Sequence, residues 1–265
     1  MRRNHHGEVQ DIMQANGNDG RVGTSWEQGE RLERHLRTRA PKLGLTERAI
    51  ARMVTTAKIH FYGVDQPIFD PAEADGHVYF VNEGYAQLRH DRQRTRRRML
   101  AIVPAGQFLL TGSFNSGYRH HAFAARMHHA GGGIATWPQD IMTEVMGMLP
   151  PANSARFVTC PWRGFSALLD AQVDLDGRLA RERLLLVFRR LARTLGEEIP
   201  GRAGRRLRVK LTRTDMAELA GVAIHTVSHA KQGIAPALVP LRRGSGDAAR
   251  PVRGAPSSVK TPAAH

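Results

Sequence analysis

Histidine pairs, a single cysteine and one polar-faced helical segment are where this chain of 265 residues can do chemistry. His120-His121 and His128-His129 flank Ala122 to Met127, which reads as a strand. Imidazole pairs suggest a metal or haem. Adjacent residues on a strand point to opposite faces, however, so at most one of each pair would face a shared site. No carboxylate lies within a few residues to complete a ligand set. Surface or loop histidines are therefore expected, with no metal and no cofactor. Cys160, in Thr-Cys-Pro-Trp, is the only cysteine. It is expected to pack, and its solitude excludes an internal disulfide framework and a four-cysteine metal site. Gly131-Gly132-Gly133 lacks the Lys-Ser/Thr of a phosphate loop. No nucleophile, base and acid fall at a useful spacing, so the chain is read as a binding protein and not an enzyme.

The informative stretch runs from Leu211 to His229. Thr212 or Thr214 can cap a helix whose apolar side is Met216, Ala217, Leu219 and Ala220. Gly221 then makes a tight turn, as helix-turn-helix units often do. A second helix starts at Ala223 and runs to Lys231, with Val227 facing the first. Its other side carries Ile224, His225, Thr226, Ser228, His229 and Lys231. One buried apolar row with hydrogen-bonding side chains on the open side is what a recognition helix needs to enter a major groove. His225, Ser228 and His229 are the candidates for base edges, with Thr212, Arg213 and Lys231 on phosphates. An ordinary helical hairpin inside a core has the same apolar pattern, and stays as the alternative at this point.

Charge favours the nucleic-acid reading. Lys and Arg exceed Asp and Glu by 39 − 24, a net charge of +15, which suits a polyanionic partner, either nucleic acid or a membrane face. No apolar run approaches the ~18 residues of a membrane span. The opening Met-Arg-Arg-Asn-His-His-Gly-Glu has no hydrophobic core behind it, so a cytoplasmic protein without a membrane partner is expected.

The elements that must position this segment fall into parts. Residues 1–25 are poor in large apolar side chains and read as disordered. A short helix is expected from Trp26 to about Arg39, and another after Thr46 as N-cap, with Ile50, Met53 and Val54 on one side. From Lys58 the period changes to that of short strands: Ile59 and Phe61, Pro67 to Phe69, Val78 to Val81, and Phe108 to Leu110. Tyr85 to Arg89 and Met99 to Val103 form the arms of a hairpin with a very basic tip, Asp91 to Arg98. Such spacing indicates an antiparallel sandwich or roll, not a parallel sheet. Helices follow at Asp140 to Met148, Arg163 to Val173 and Asp176 to Leu195, with Gly196 as a stop and a brief strand at Leu207 to Lys210. The fold class is α+β: a jelly-roll or cupin-like antiparallel β-roll, a helical connector and a C-terminal, winged helix-turn-helix domain. The expected boundaries are a disordered or helical extension at 1–44, the roll at 45–145, the connector and dimer contact at 146–198, the helix-turn-helix at 199–232 and a disordered basic tail at 233–265. Leucines at 179–195, with Phe165, Leu168 and Leu169, need cover that a small roll does not supply, which points to an isologous homodimer.

Leu-Thr-Arg-x-Asp-Met-Ala-x-Leu-Ala-Gly-x-x-x-x-Thr-Val-Ser, from Leu211 to Ser228, resembles the helix-turn-helix of the CRP/FNR family of bacterial transcription regulators. Residues 45–50, 66–69 and 77–88 look like the opening of that family's β-roll, and Pro104-Ala105-Gly106-Gln107-Phe108 resembles its turn before a Phe. Asp176 to Ala192 looks like the helix entering the DNA-binding domain. The resemblance covers roughly residues 45–230. It implies a homodimer on double-stranded DNA, whose roll answers to a small-molecule effector of unidentified kind.

Departures from the pattern shape those expectations. Cyclic-nucleotide-binding members carry Gly-Glu shortly after the Phe, then an Arg followed by a small hydroxyl residue. Leu110-Thr111 stands in the first place, and Arg119 is followed by His120-His121. Thr111 and Arg119 are the candidate ligand residues by position, but the replaced partners make a poor nucleotide site. Activators of the family place Arg and Glu just before the Thr-Val and Arg after it; Ile224, His225 and His229 stand there, so the target sequence should differ. After Gln232 no strand pattern for a wing is visible. The segment to His265 reads as a natural basic tail touching phosphates, or as out-of-frame translation of a disrupted gene. Two other classes stay open: a non-DNA-binding regulatory or interaction protein with a degenerate effector domain, and a cupin-type metal-binding protein, for which two or three histidines and a glutamate converging inside the roll cannot be assembled.

Overall fold

The computed structural model describes residues 25–70, 76–90, 98–109, 123–200 and 205–234, without the side chains of 25, 161, 162, 165 and 230–234. The sequence readings for the chain start, the basic hairpin tip at 91–97, Thr111, Arg119, His120-His121 and the tail from 235 lie outside the described residues.

Two helices open the described chain, α1 (Ser25–Leu43) and α2 (Glu47–Thr56). Thr46 caps α2 as its spacing predicts, its hydroxyl accepting from the Ala49 N–H at 3.3 Å. Eight strands follow: β1 (Lys58–Tyr62), β2 (Pro67–Phe69), β3 (His77–Val81), β4 (Tyr85–His90), β5 (Arg98–Pro104), β6 (Gln107–Leu109), β7 (Phe123–Met127) and β8 (Gly132–Pro138). They form two antiparallel four-stranded sheets, ordered β1-β8-β3-β6 and β2-β7-β4-β5. The expected hairpin is present, with Tyr85 opposite Pro104 and His90 opposite Arg98.

The apolar run at 78–81 has no polar alternation because β3 is covered on both faces. Tyr79 and Val81 point between the sheets, with Phe69, Ala86, Leu109, Met127 and Ile134. Val78 and Phe80 point outward beneath the helices, with Leu32, Leu36, Ile50, Met53 and Trp137. The leucines of α1 thus lie in the core. A polar seal joins α1 to the β3–β4 turn: the buried Asn82 side-chain amide donates to the Gln28 carbonyl (3.1 Å) and to Gln28 Oε1 (3.0 Å), and Gln28 donates to Glu83. His35 sits against the Asn82 carbonyl at 3.2 Å, and burial holds its pKa below the ordinary histidine value. Gly84 has φ 79, and a Cβ there would meet the Gly131 carbonyl oxygen at 2.5 Å, so the turn between β3 and β4 accepts only glycine.

After the roll come α3 (Gln139–Gly147), α4 (Pro151–Val173) and α5 (Ala180–Leu195). Helix α4 starts well before the predicted Arg163, because Pro151 occupies the first turn, where its missing N–H costs nothing. Helix α5 starts later than Asp176, since Gly177 is left-handed with φ 71 and breaks the run. Gly196 ends α5 and opens β9 (Gly196–Glu198), which pairs with β10 (Arg205–Leu207). Only the second of these strands shows in the sequence, and it is displaced from the predicted 207–210. Two helices close the described chain, α6 (Arg213–Ala220) and α7 (Ile224–Ile234).

The apolar stripe on α5 behaves differently from expectation. Leu184, Val187, Leu191 and Leu195 are buried within the chain, against Met216, Leu219, Ala220 and Val227 of α6 and α7 and against Met99 and Ile102 of β5. They cover the helix-turn-helix and dock it on the second sheet, so they are not available to a second chain. No helix among the described residues is long and apolar enough to cross a membrane.

Candidate nucleic-acid interface

The Leu211–His229 segment folds as its spacing predicts. The Thr212 hydroxyl accepts the Asp215 N–H at 3.1 Å, and the Asp215 carboxylate accepts the Thr212 N–H at 2.7 Å. This reciprocal cap satisfies two donors that the first helical turn leaves orphaned. Gly221 ends α6 at φ 63 and ψ 40. This left-handed turn is cheap for glycine and costs a residue with a Cβ roughly 1–2 kcal/mol. Val227 is buried behind α7.

The structure brings several expected contact residues to one side. Ile224, His225 and His229 are exposed, and Thr226 and Ser228 are half-buried. Thr212 and Arg213 are exposed at the start of α6, and Arg213 reaches across to the Ser228 hydroxyl at 3.5 Å. Lys231 lies on α7, but its side chain is outside the described residues. The β9–β10 ribbon enters just before this unit and carries a charged edge, Glu197 paired with Arg206 (2.8 Å) and Arg208 (3.3 Å).

Sequence reasoning missed how this unit is fastened to the roll. On β4, Tyr85, Gln87 and Arg89 point away from the inter-sheet core towards α6. Arg89 pairs with Glu218 of α6, both largely buried, and donates to Gln87 Oε1 at 2.6 Å. The Gln87 amide in turn donates to His128 Nδ1 at 2.6 Å, and His128 Nε2 donates to the Lys210 carbonyl at 3.1 Å. A carbonyl only accepts, which places the His128 proton on Nε2 and makes Nδ1 the acceptor. His129 Nε2 lies 2.7 Å from Asp215 Oδ2.

These contacts correct the reading of the histidines. His128 and His129 follow β7 in a turn, where the alternation of a strand no longer applies, and their ring centroids are 4.2 Å apart. The carboxylate they face is Asp215, 86 residues further along the chain, so no local search of the sequence finds it. Burial works against the Asp215 charge, but the Thr212 N–H and His129 outweigh it and hold the carboxyl below the usual aspartate range. Burial lowers the His128 pKa.

A mainly apolar cavity of about 560 Å³ lies between β5, β6, α4 and α5, lined by Ile102, Phe108, Leu168 and Leu191 among others. The side-chain oxygen of Gln172, which borders it, is buried without a hydrogen-bond partner.

A β-roll of two antiparallel sheets, followed by helices and a helix-turn-helix, is the fold of the CRP/FNR regulators, as the sequence resemblance implies. Among solved structures, the chain is similar to FixK2 from Bradyrhizobium japonicum at 20% identity, covering 68% of this chain and 85% of that one with a TM-score of 0.57. A cyclic nucleotide-binding domain containing protein from Listeria monocytogenes shares 15% identity over 77% of this chain and 91% of its own, with a TM-score of 0.59. A transcriptional regulator of the CRP/FNR family from Thermus thermophilus, TTHA1359, shares 16% identity over 68% and 87%, with a TM-score of 0.50. No protein-family model matches the sequence, and no curated protein matches it.

Proposed function

We propose that this protein is a DNA-binding transcription regulator of the CRP/FNR type, acting as a homodimer on double-stranded DNA. The observation that carries the reading is the capped α6, the left-handed Gly221 and α7 with Ile224, His225 and His229 on its open side. The net charge of +15 supplies the attraction to phosphate. His225, Ser228 and His229 read base edges, Ile224 and Thr226 flank them, and Thr212, Arg213 and Lys231 hold phosphates. The cavity against α4 and α5 is of a size that suits a small apolar effector with one donor for Gln172. From there it would bear on the helices that carry α6.

The two recognition helices of the dimer engage half-sites centred about 34 Å apart, one turn of duplex. In selection from random duplexes followed by gel shifts at several salt concentrations, His229→Ala is expected to relax preference at one base position. Arg213→Ala is expected to weaken all sequences alike and to reduce the salt slope by about 1. No selected sequence, or equal losses on every sequence for both variants, would show that α7 does not read bases and would favour a degenerate effector domain.

The dimer contact falls on α4 and not on the leucines of α5. Val158, Leu169 and Val173 are exposed at 45%, 45% and 68%, on one face of a long helix. Sedimentation at micromolar concentration should give twice 29.4 kDa for the wild type, and the single-chain mass for the double variant Leu169→Glu, Val173→Glu. A monomeric wild type, or a dimer indifferent to both charges, would remove this face from the interface.

A further inference from the structure

We propose that His128, His129 and Asp215 form a binding site for a divalent transition metal of the zinc class, which fastens the β-roll to the helix-turn-helix. One ligand atom from each of the three lies within 4.8 Å of the others. Two imidazoles and a carboxylate are a common donor set for zinc and its neighbours, with a fourth position left to water. A tetrahedral ion needs its donor atoms roughly 3.4 Å apart. The pairs that stand farther apart, none beyond 4.8 Å, must draw in, while His129 Nε2 and Asp215 Oδ2, now 2.7 Å apart, must open to admit the ion.

The surroundings suit a cation as well as the donors do. His128 is oriented by its Nε2–H on the Lys210 carbonyl, the kind of outer contact that fixes a metal-binding imidazole. The lone pair left for the metal is on Nδ1, which now receives the Gln87 amide, so Gln87 must turn aside on binding. The Asp215 carboxylate is held in place and kept ionised by its cap hydrogen bonds. His129 is partly exposed, which gives an entry path.

The location gives the site its consequence. His128 and His129 belong to the turn between β7 and β8, and Asp215 lies in the first turn of α6, where its carboxylate completes the cap with Thr212. A bound ion therefore ties the roll to the first helix of the DNA-binding unit. That regulatory consequence rests on the DNA-binding reading above; the metal site itself does not.

The test uses the full chain, stripped with a chelator and titrated with zinc chloride against a chromogenic competitor, with no DNA present. One equivalent per chain is expected, with a melting temperature that rises with zinc concentration. His129→Ala should weaken zinc at least tenfold and abolish the rise. Asp215→Asn, which keeps the shape and the cap acceptor, should do the same, and protects the test should His129→Ala fail to fold. His60→Ala, on the exposed face of β1, should leave zinc affinity unchanged. Absence of stoichiometric binding, or unchanged affinity in both site variants, overturns the site and assigns any zinc to other histidines. Because the titration contains no DNA, it stands or falls separately from the gel shifts that test the regulator.

Discussion

Replacing Trp137 by alanine is expected to cost the fold about 3–5 kcal/mol, a large share of the 5–15 kcal/mol that holds a typical domain together. Trp137 is fully buried on β8, opposite Val78 of β3. Its ring meets Phe80 at 6.3 Å and Phe108 at 6.4 Å, and its indole N–H donates to the Met53 carbonyl at 2.8 Å. It thus joins the first sheet to α2. The Met53 carbonyl also accepts from the Ala57 N–H, so it is not orphaned when the indole is removed. The cost is chiefly the cavity and lost packing, and it grows with how little the helices can collapse inward. Trp137→Phe keeps most of the volume but loses the hydrogen bond and part of the ring, so it should cost about 1–2 kcal/mol. Urea unfolding of the two variants measures both numbers. A cost below about 1 kcal/mol for the alanine variant would mean that the helices do not close over this sheet.

What was legible in the sequence was local. The helix-turn-helix declares itself because its cap, its turn and its apolar row fall within twenty residues, and each acts on its nearest neighbours. The β3 run and the β4–β5 hairpin are visible for the same reason. The first half of α4 escapes the sequence reading, which starts the helix at Arg163, although proline is tolerated in the first helical turn at Pro151. Strand β9 was lost because Gly-Glu-Glu after a long helix reads as a stop. The seal of Gln28 on Asn82 spans 54 positions and leaves no period to detect.

The stripe on α5 shows a different limit. Periodicity established that one face must be buried, but not by what. A second chain and the chain's own helix-turn-helix satisfy the same pattern, and only the fold distinguishes them. The histidine pair failed for a related reason. The alternation rule was sound for a strand, but His128 and His129 lie just past the end of one.

An ion pair latches the β-roll to the helix-turn-helix. Arg89 and Glu218 have side chains 13% and 19% exposed, and they join β4 to α6. A pair so placed is neither a surface bridge, worth under about 1 kcal/mol, nor a fully buried one, whose breakage costs about 3–5 kcal/mol. Glu218→Ala leaves the Arg89 guanidinium with Gln87 as its described side-chain partner, and about 2 kcal/mol of docking is expected to go. At about 1.4 kcal/mol per factor of ten, this raises the undocked population of the helix-turn-helix roughly thirtyfold. Arg89→Ala should do the same from the other side. The double variant should cost less than the sum, because the second change removes a charge that the first has already stranded. Hydrogen exchange provides the readout: amides of α6 and α7 should lose protection in either single variant while those of β3 and β8 keep theirs. DNA affinity should move in the same direction for both variants, since both act on one docking equilibrium and neither residue lies among the proposed DNA contacts. Additive costs, or protection lost equally from the roll, would show that the pair braces the roll itself and that the helix-turn-helix is held by its apolar contacts alone.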